Sequence, residues 1–180
     1  PRSRMNPPLR AEADRSALWS ALLRGTIDMT VSDHAPCPLE MKEAGMDDIR
    51  EAWSGVDGVQ VILRVLLSEG VNKGRISFTR LLNVASRNPA KLFGLYPRKG
   101  ALAIGADADF VIIDPWREEK LTADMMFSKC GWTLYEGMTM KGVPTMTVVR
   151  GTPVFEEDRM LVKPGHGKFQ AMTGMTPIED

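Results

Sequence analysis

At 180 residues the chain has room for one domain or two small ones, but not for a complete eight-unit barrel. Lys plus Arg and Asp plus Glu each number 23, so the formal net charge is zero and the basic footprint of a nucleic-acid or acidic-membrane binder is missing. Hydrophobic residues at 43% and charged residues at 26% are ordinary globular proportions, which exclude long disorder.

In chain order, residues 11–24 place Leu18, Trp19, Leu22 and Leu23 at helical spacing, and Gly25 supplies a stop. Residues 26–32 are short and β-branched, predicting a strand that ends at Ser32 and runs into Asp33-His34-Ala35-Pro36. Residues 37–53 mix charges with Pro38 and Gly45 and hold no period, so they read as a long mobile loop with at most one helical turn. Residues 56–67 then offer Val59, Leu63, Leu66 and Leu67 on one helical face; Asp57 and Arg64 break the apolar run well short of a bilayer span. Ser77 can cap a further helix, and Asn88-Pro89 a shorter one that ends at Gly94.

Beyond Tyr96 the pattern changes. Gly100, Gly105 and the turn at 106–109 lead into Phe110-Val111-Ile112-Ile113, read as a buried strand, and residues 144–150 and 152–156 read as a hairpin about Arg150-Gly151. A boundary near Pro97 separates an α/β piece, 1–96, from a β-rich piece with a tail, 97–180. The N-terminus has no apolar h-region and no initiating Met, which predicts that a longer protein precedes it. Cys37 and Cys130 form no disulfide framework and no paired ligand spacing, so the expected setting is a reducing cytoplasm.

Asp33, at a strand end before His and Pro, is the strongest candidate for chemistry, because active sites of parallel α/β barrels gather at strand C-termini; its other role is to close the strand as an Asx turn. His34 is either a ligand or base, or a satisfied structural group. Cys37 offers a nucleophile, or a small residue for packing or a substrate wall. Asp107 and Asp109 suit turn and strand-entry roles better than a catalytic pair, and His166 belongs to a solvated tail.

The motifs Asn6-Pro7-Pro8, Ser32-Asp33-His34-Ala35-Pro36-Cys37, Trp53-Ser54-Gly55-Val56, Asn88-Pro89-Ala90 with Phe93-Gly94, Lys99-Gly100 through Ala106-Asp107-Ala108-Asp109, and Val148-Val149-Arg150-Gly151 follow one another in an order that resembles the C-terminal part of the cyclic amidohydrolases. That family includes allantoinase, dihydroorotase and hydantoinase or dihydropyrimidinase. Ser-Asp-His-Ala-Pro followed by Cys looks most like allantoinase, since dihydroorotases usually place His where Cys37 stands and hydantoinases an aromatic residue.

The resemblance implies an α/β fold: the C-terminal portion of a metal-dependent (β/α)8 TIM barrel (final helix, strand and closing helices, 1–96) plus part of a small β-sandwich domain (97–180). It also implies two divalent metal ions, commonly zinc, a small cyclic amide or ureide as substrate, no nucleic-acid or membrane partner, and a dimeric or tetrameric parent. Carried over by residue, Asp33 is a metal ligand that also shuttles the catalytic proton, Asn6 and Cys37 line the substrate, and Gly55 brings backbone to the ring. The other metal ligands of the family have no counterpart here, because the only histidines are His34 and His166. The expectation is therefore a C-terminal fragment of an allantoinase, inactive alone, with a non-catalytic assembly subunit of the same fold as the rival reading. A His-x-His on a strand upstream of Pro1 would favour the enzyme.

Overall fold

The computed structural model describes residues 1–172, 174 and 178, so the last part of the expected 97–180 unit lies outside the described residues. Helix α1 spans Glu12–Arg24, with Glu12 and Asp14 in its first turn and a left-handed Gly25 (φ 88°) after its last. Acidic groups near the N-terminal amides and a glycine where φ must be positive are what the sequence offers at these two ends. Leu22 is buried against Leu66, Leu67, Ile76, Leu81 and Val84, with Trp19 and Ile27 beside it, and this cluster is the main core.

The strand expected over 26–32 does not form. Among the described residues the backbone there bonds only to helix carbonyls and side chains, with the Thr26 and Ile27 amides donating to the Ala21 carbonyl, Thr30 to that of Val84 (3.0 Å), and the Ile27 and Asp28 carbonyls accepting from Arg80 and Asn88; the first ladder contact is a single parallel bridge, His34 to Val56. A strand needs a hydrogen-bonded neighbour, and among the described residues none lies alongside. Residues 37–53 carry more order than expected: helix α2, Leu39–Glu43, and a 3₁₀ turn, Ile49–Glu51.

The helix expected over 56–67 starts later. Helix α3, Ile62–Val65, continues as a π-helical turn, Leu66–Val71, leaving Val59 in an exposed loop. Helix α4, Phe78–Leu82, is capped by Ser77 Oγ, which accepts from the Arg80 amide (3.1 Å). It runs through a second π-helical turn, Asn83–Arg87, straight into α5, Asn88–Leu92. Asn88 is thus no cap: it is buried inside a continuous helix and donates its Nδ2 to the Asp28 carbonyl (2.8 Å). Pro89 lacks an amide proton, and the wider turn before it takes up the missing helical bond.

Four antiparallel strands follow in the order β1 (Phe110–Lys120), β2 (Thr139–Val149), β3 (Thr152–Glu156) and β4 (Arg159–Met160). The hairpin expected at Arg150-Gly151 is present, both residues having positive φ (49° and 74°), which matches the twist of tight two-residue hairpins. β1 is an edge strand rather than the buried strand expected, and Phe110, Val111 and Ile112, which alternate between its two faces, are all exposed. The fold is a partial α/β domain with an incomplete sheet, not a closed barrel.

The sheet leans on α3. Val61, Leu121 and Met140 form a buried cluster with Val65 and Tyr135 beside it, and Gly142 (φ 93°) lets β2 approach Leu67, where a Cβ would stand 2.9 Å from the leucine's own. The sequence assigned His166 to a solvated tail, but Arg150 Nη2 donates to its carbonyl (2.6 Å) and holds that stretch to the hairpin.

Lys99 joins both aspartates of the entry turn, Asp107 at 2.9 Å and Asp109 more closely, while Asp109 also accepts from the Arg150 amide (2.7 Å). Burial alone would raise the Asp109 carboxyl, but Lys99 and the Arg150 amide outweigh it and hold it below the ordinary carboxylate range. A depressed folded value contributes stability that is present above the unfolded pKa and lost as pH falls through the folded one. Urea midpoints measured from pH 7 down into the carboxylate range should therefore fall, and Asp109→Asn should flatten that fall. An unchanged slope in the variant would place the acid sensitivity elsewhere.

Candidate functional site

The four residues expected to serve a site belong to three segments that meet. Residues 4–6 lie against 53–55: the Gly55 amide donates to the Arg4 carbonyl (3.2 Å), and Met5 packs on the cluster of Cys37, Val56 and Trp132. Gly55 (φ 146°) lies so close to Ala35 that an added Cβ would stand 2.7 Å from its carbonyl oxygen, so only glycine fits there. Asn6 follows Met5 and is exposed. Asp33, Cys37 and Gly55 are thereby brought into one neighbourhood, with Asn6 at its edge.

Asp33 is exposed and has φ 44°, one of only four non-glycine residues with positive φ among the described residues. Asp tolerates this left-handed conformation better than most residues, yet it still costs on the order of 1–3 kcal/mol, a strain that clusters at functional sites. Its carboxylate makes no hydrogen bond or ion pair among the described residues. The Asx-turn alternative would use the carboxylate as a cap, and it is not used that way.

Cys37 is buried beside Val56 and Trp132, and its carbonyl accepts from Trp132 Nε1 (2.8 Å). Burial pushes its thiol up, which disfavours the thiolate a nucleophile needs. Lys42 is fully buried (0% exposed) and donates to the carbonyls of Arg4 (2.7 Å) and Trp53 (2.8 Å), pinning two of the three segments together. Burial and the nearby Arg4 push its ammonium down. Asp57 is buried too, accepting from Thr133 Oγ1 (2.6 Å) and the Leu134 amide (3.2 Å).

The sequence reading missed Lys42, Asp57 and Trp132. A lysine in a charged run looks like a solvated face, and Asp57 and Thr133 meet across 76 positions with no local pattern to announce it. Beside them a cavity of about 180 Å³ is bordered by His34, Gly58, Gln60, Met126, Phe127 and Ser128. A larger apolar groove runs along Leu18, Trp19, Ile27, Val31, Ile62 and Tyr135.

Asp33 suits a ligand position for a divalent ion, being an exposed carboxylate with its lone pairs unspent. Among the described residues, however, no three His, Cys, Asp or Glu side chains come together to hold one. Two metals cannot be seated on these residues. No helix among the described residues is long and apolar enough to cross a membrane.

The family model for the amidohydrolase family matches residues 3–154. The chain is 41% identical over 169 residues to L-hydantoinase of Paenarthrobacter aurescens, covering 94% of this chain and 37% of that protein. It is 43% identical over 178 residues to dihydroorotase of Methanosarcina acetivorans, covering 98% of this chain and 37% of that one. Among solved structures, the dihydropyrimidinase from Brevibacillus agri NCHU1002 superposes with a TM-score of 0.94 at 30% identity, over 98% of this chain and 39% of that one. The chain thus spans well under half the length of the relatives it matches. These three are a hydantoinase, a dihydroorotase and a dihydropyrimidinase, and they support the family without the finer allantoinase reading expected from Cys37. A family match over most of the sequence, with the same backbone in a solved relative, leaves one conclusion: this chain belongs to the amidohydrolase family.

Proposed function

We propose that residues 1–180 are the C-terminal part of an enzyme that hydrolyses a ring C–N bond in a cyclic amide of the hydantoin, dihydropyrimidine or dihydroorotate class. The observation that carries this reading is Asp33: an exposed, unpartnered carboxylate in a strained turn, beside a glycine loop pressed against the next residues. Such a group can take a proton from the attacking water and return it to the departing ring nitrogen, the two transfers that amide opening requires. In this reading Asp33 would be one ligand of a divalent pair, commonly zinc, whose other ligands these residues do not supply; when bound, the pair would add Lewis-acid polarisation of the ring carbonyl. Asn6 and the Gly55 backbone edge the ring, and Cys37 backs the wall from within the apolar cluster.

Residues 1–96 then supply the end of a barrel and 97–180 part of a β-sandwich. The names of the relatives favour hydantoin-type and dihydroorotate-type rings over allantoin as the principal substrate. Allantoin stays within the class, because its ring is a hydantoin and Cys37 stands where dihydroorotases usually carry His.

The test compares the full-length enzyme with the 180-residue chain on hydantoin, dihydrouracil, dihydroorotate and allantoin. Turnover of at least one ring by the full-length protein, lost on chelation and absent from the short chain, is expected. Chelator-sensitive turnover by the short chain would overturn the fragment reading, and failure of the metal-loaded full-length protein on every ring would favour a non-catalytic assembly subunit.

A further inference from the structure

We infer that His34 is a positioning residue whose Nδ1 clamps the Gly55–Gln60 loop against the Asp33 turn; the inference deepens the reading of Asp33 given above and rests on it. His34 Nδ1 accepts two backbone amides at once, Gly58 at 3.0 Å and Val59 at 3.3 Å. A ring nitrogen that accepts carries no proton, so the proton of the neutral imidazole sits on Nε2. The backbone repeats the connection one step away. His34 bridges to Val56 in parallel, and the Ala35 amide donates to the Val56 carbonyl (2.9 Å).

Two glycines permit this approach from either side of the ring's contacts. A Cβ on Gly58 would stand 2.6 Å from the Ser32 carbonyl oxygen, and one on Gly55 would stand 2.7 Å from that of Ala35. Asp33 lies in sequence between Ser32 and Ala35, the two residues that these glycines abut, so the loop grips the strained turn on both sides. A non-glycine residue keeps a positive φ only where its surroundings over-determine it, and His34 supplies the side-chain part of that constraint. The grip extends through Gln60, whose Nε2 donates to the Met125 carbonyl (2.7 Å) and whose Oε1 accepts from the Phe127 amide (3.0 Å), closing the cavity that His34 borders.

The chemistry separates positioning from direct action on substrate. Asparagine can place an amide oxygen near where Nδ1 stands, whereas glutamine reaches toward Nε2. In the full-length enzyme, His34→Ala should lower kcat by about 10- to 100-fold, the usual size for a residue that orients a ligand from behind, with KM little changed. His34→Asn should restore most of kcat, and His34→Gln should not. Hydrogen exchange at the Gly58 and Val59 amides, read in the same proteins, should be fast in His34→Ala and His34→Gln and slow in the wild type and His34→Asn. Rescue by glutamine in place of asparagine would move the function to Nε2 and overturn the inference, as would unchanged amide exchange in His34→Ala. Should His34→Ala fail to fold, the asparagine–glutamine pair decides alone. If the wild type opens no ring while the exchange pattern holds, the functional reading fails and the clamp stands.

Discussion

Asp33→Asn in the full-length enzyme should lower turnover on the order of 100-fold or more while KM moves little, the loss expected when a general acid–base group is removed. The amide keeps the shape of the side chain and the φ of 44° that Asn adopts as readily as Asp, so the turn and its neighbours should survive. What it loses is the capacity to take a proton from water and give it to a ring nitrogen. The control is metal content, since a carboxylate that also holds an ion would lower turnover by releasing it. Turnover should therefore be measured at saturating divalent ion with the bound metal quantified. Near-normal kcat at full occupancy would leave Asp33 a structural residue, and a loss that tracks metal content alone would make it a ligand without a role in proton transfer.

Helix α1, its Gly25 stop, the Ser77 cap and the Arg150-Gly151 hairpin were legible from the sequence because each depends on residues within a few positions of one another. The expected strand before Asp33 failed for a different reason: β-branched residues supply propensity, but a strand needs a hydrogen-bonded neighbour alongside. Val31, 69% exposed, shows the same shortfall on its side chain. Asn88-Pro89 has the composition of a helix start, yet Asn88 finds a better partner in the Asp28 carbonyl, 60 positions away. The site follows the same division. Asp33 stood out through its motif, whereas the clamp by His34, the pin by Lys42 and the brace by Asp57 all join segments distant in sequence. Long-range contacts of that kind carry no local signature, and of these three side chains the motifs of the resemblance contain only His34.

The largest stability effect should come from the buried pair that ties α3 to β1. The side chains of Arg64 and Glu119 are 5% and 9% exposed; Nε of the guanidinium donates to a Glu119 carboxylate oxygen (3.0 Å), Nη2 forms an ion pair with the same oxygen at 2.9 Å, and Nη1 donates to the Gln60 carbonyl (3.2 Å). Removing the carboxylate leaves a cation out of water with that carbonyl and Asp158 at 4.0 Å as compensation. Breaking such a pair from one side costs about 3–5 kcal/mol, because the remaining charge has lost both its partner and its hydration. Glu119→Ala should lower unfolding free energy in urea by that amount. Replacing both partners, Arg64→Met with Glu119→Leu, should recover most of the loss, since an apolar pair of similar volume carries no desolvation penalty. A loss under about 1 kcal/mol in Glu119→Ala would be the behaviour of a solvated surface pair and would contradict the burial of this one. Because Arg64 also holds the Gln60 carbonyl, its loss in the double replacement should loosen the loop that His34 clamps, and the Gly58 and Val59 amides should exchange faster there than in Glu119→Ala, which keeps the guanidinium.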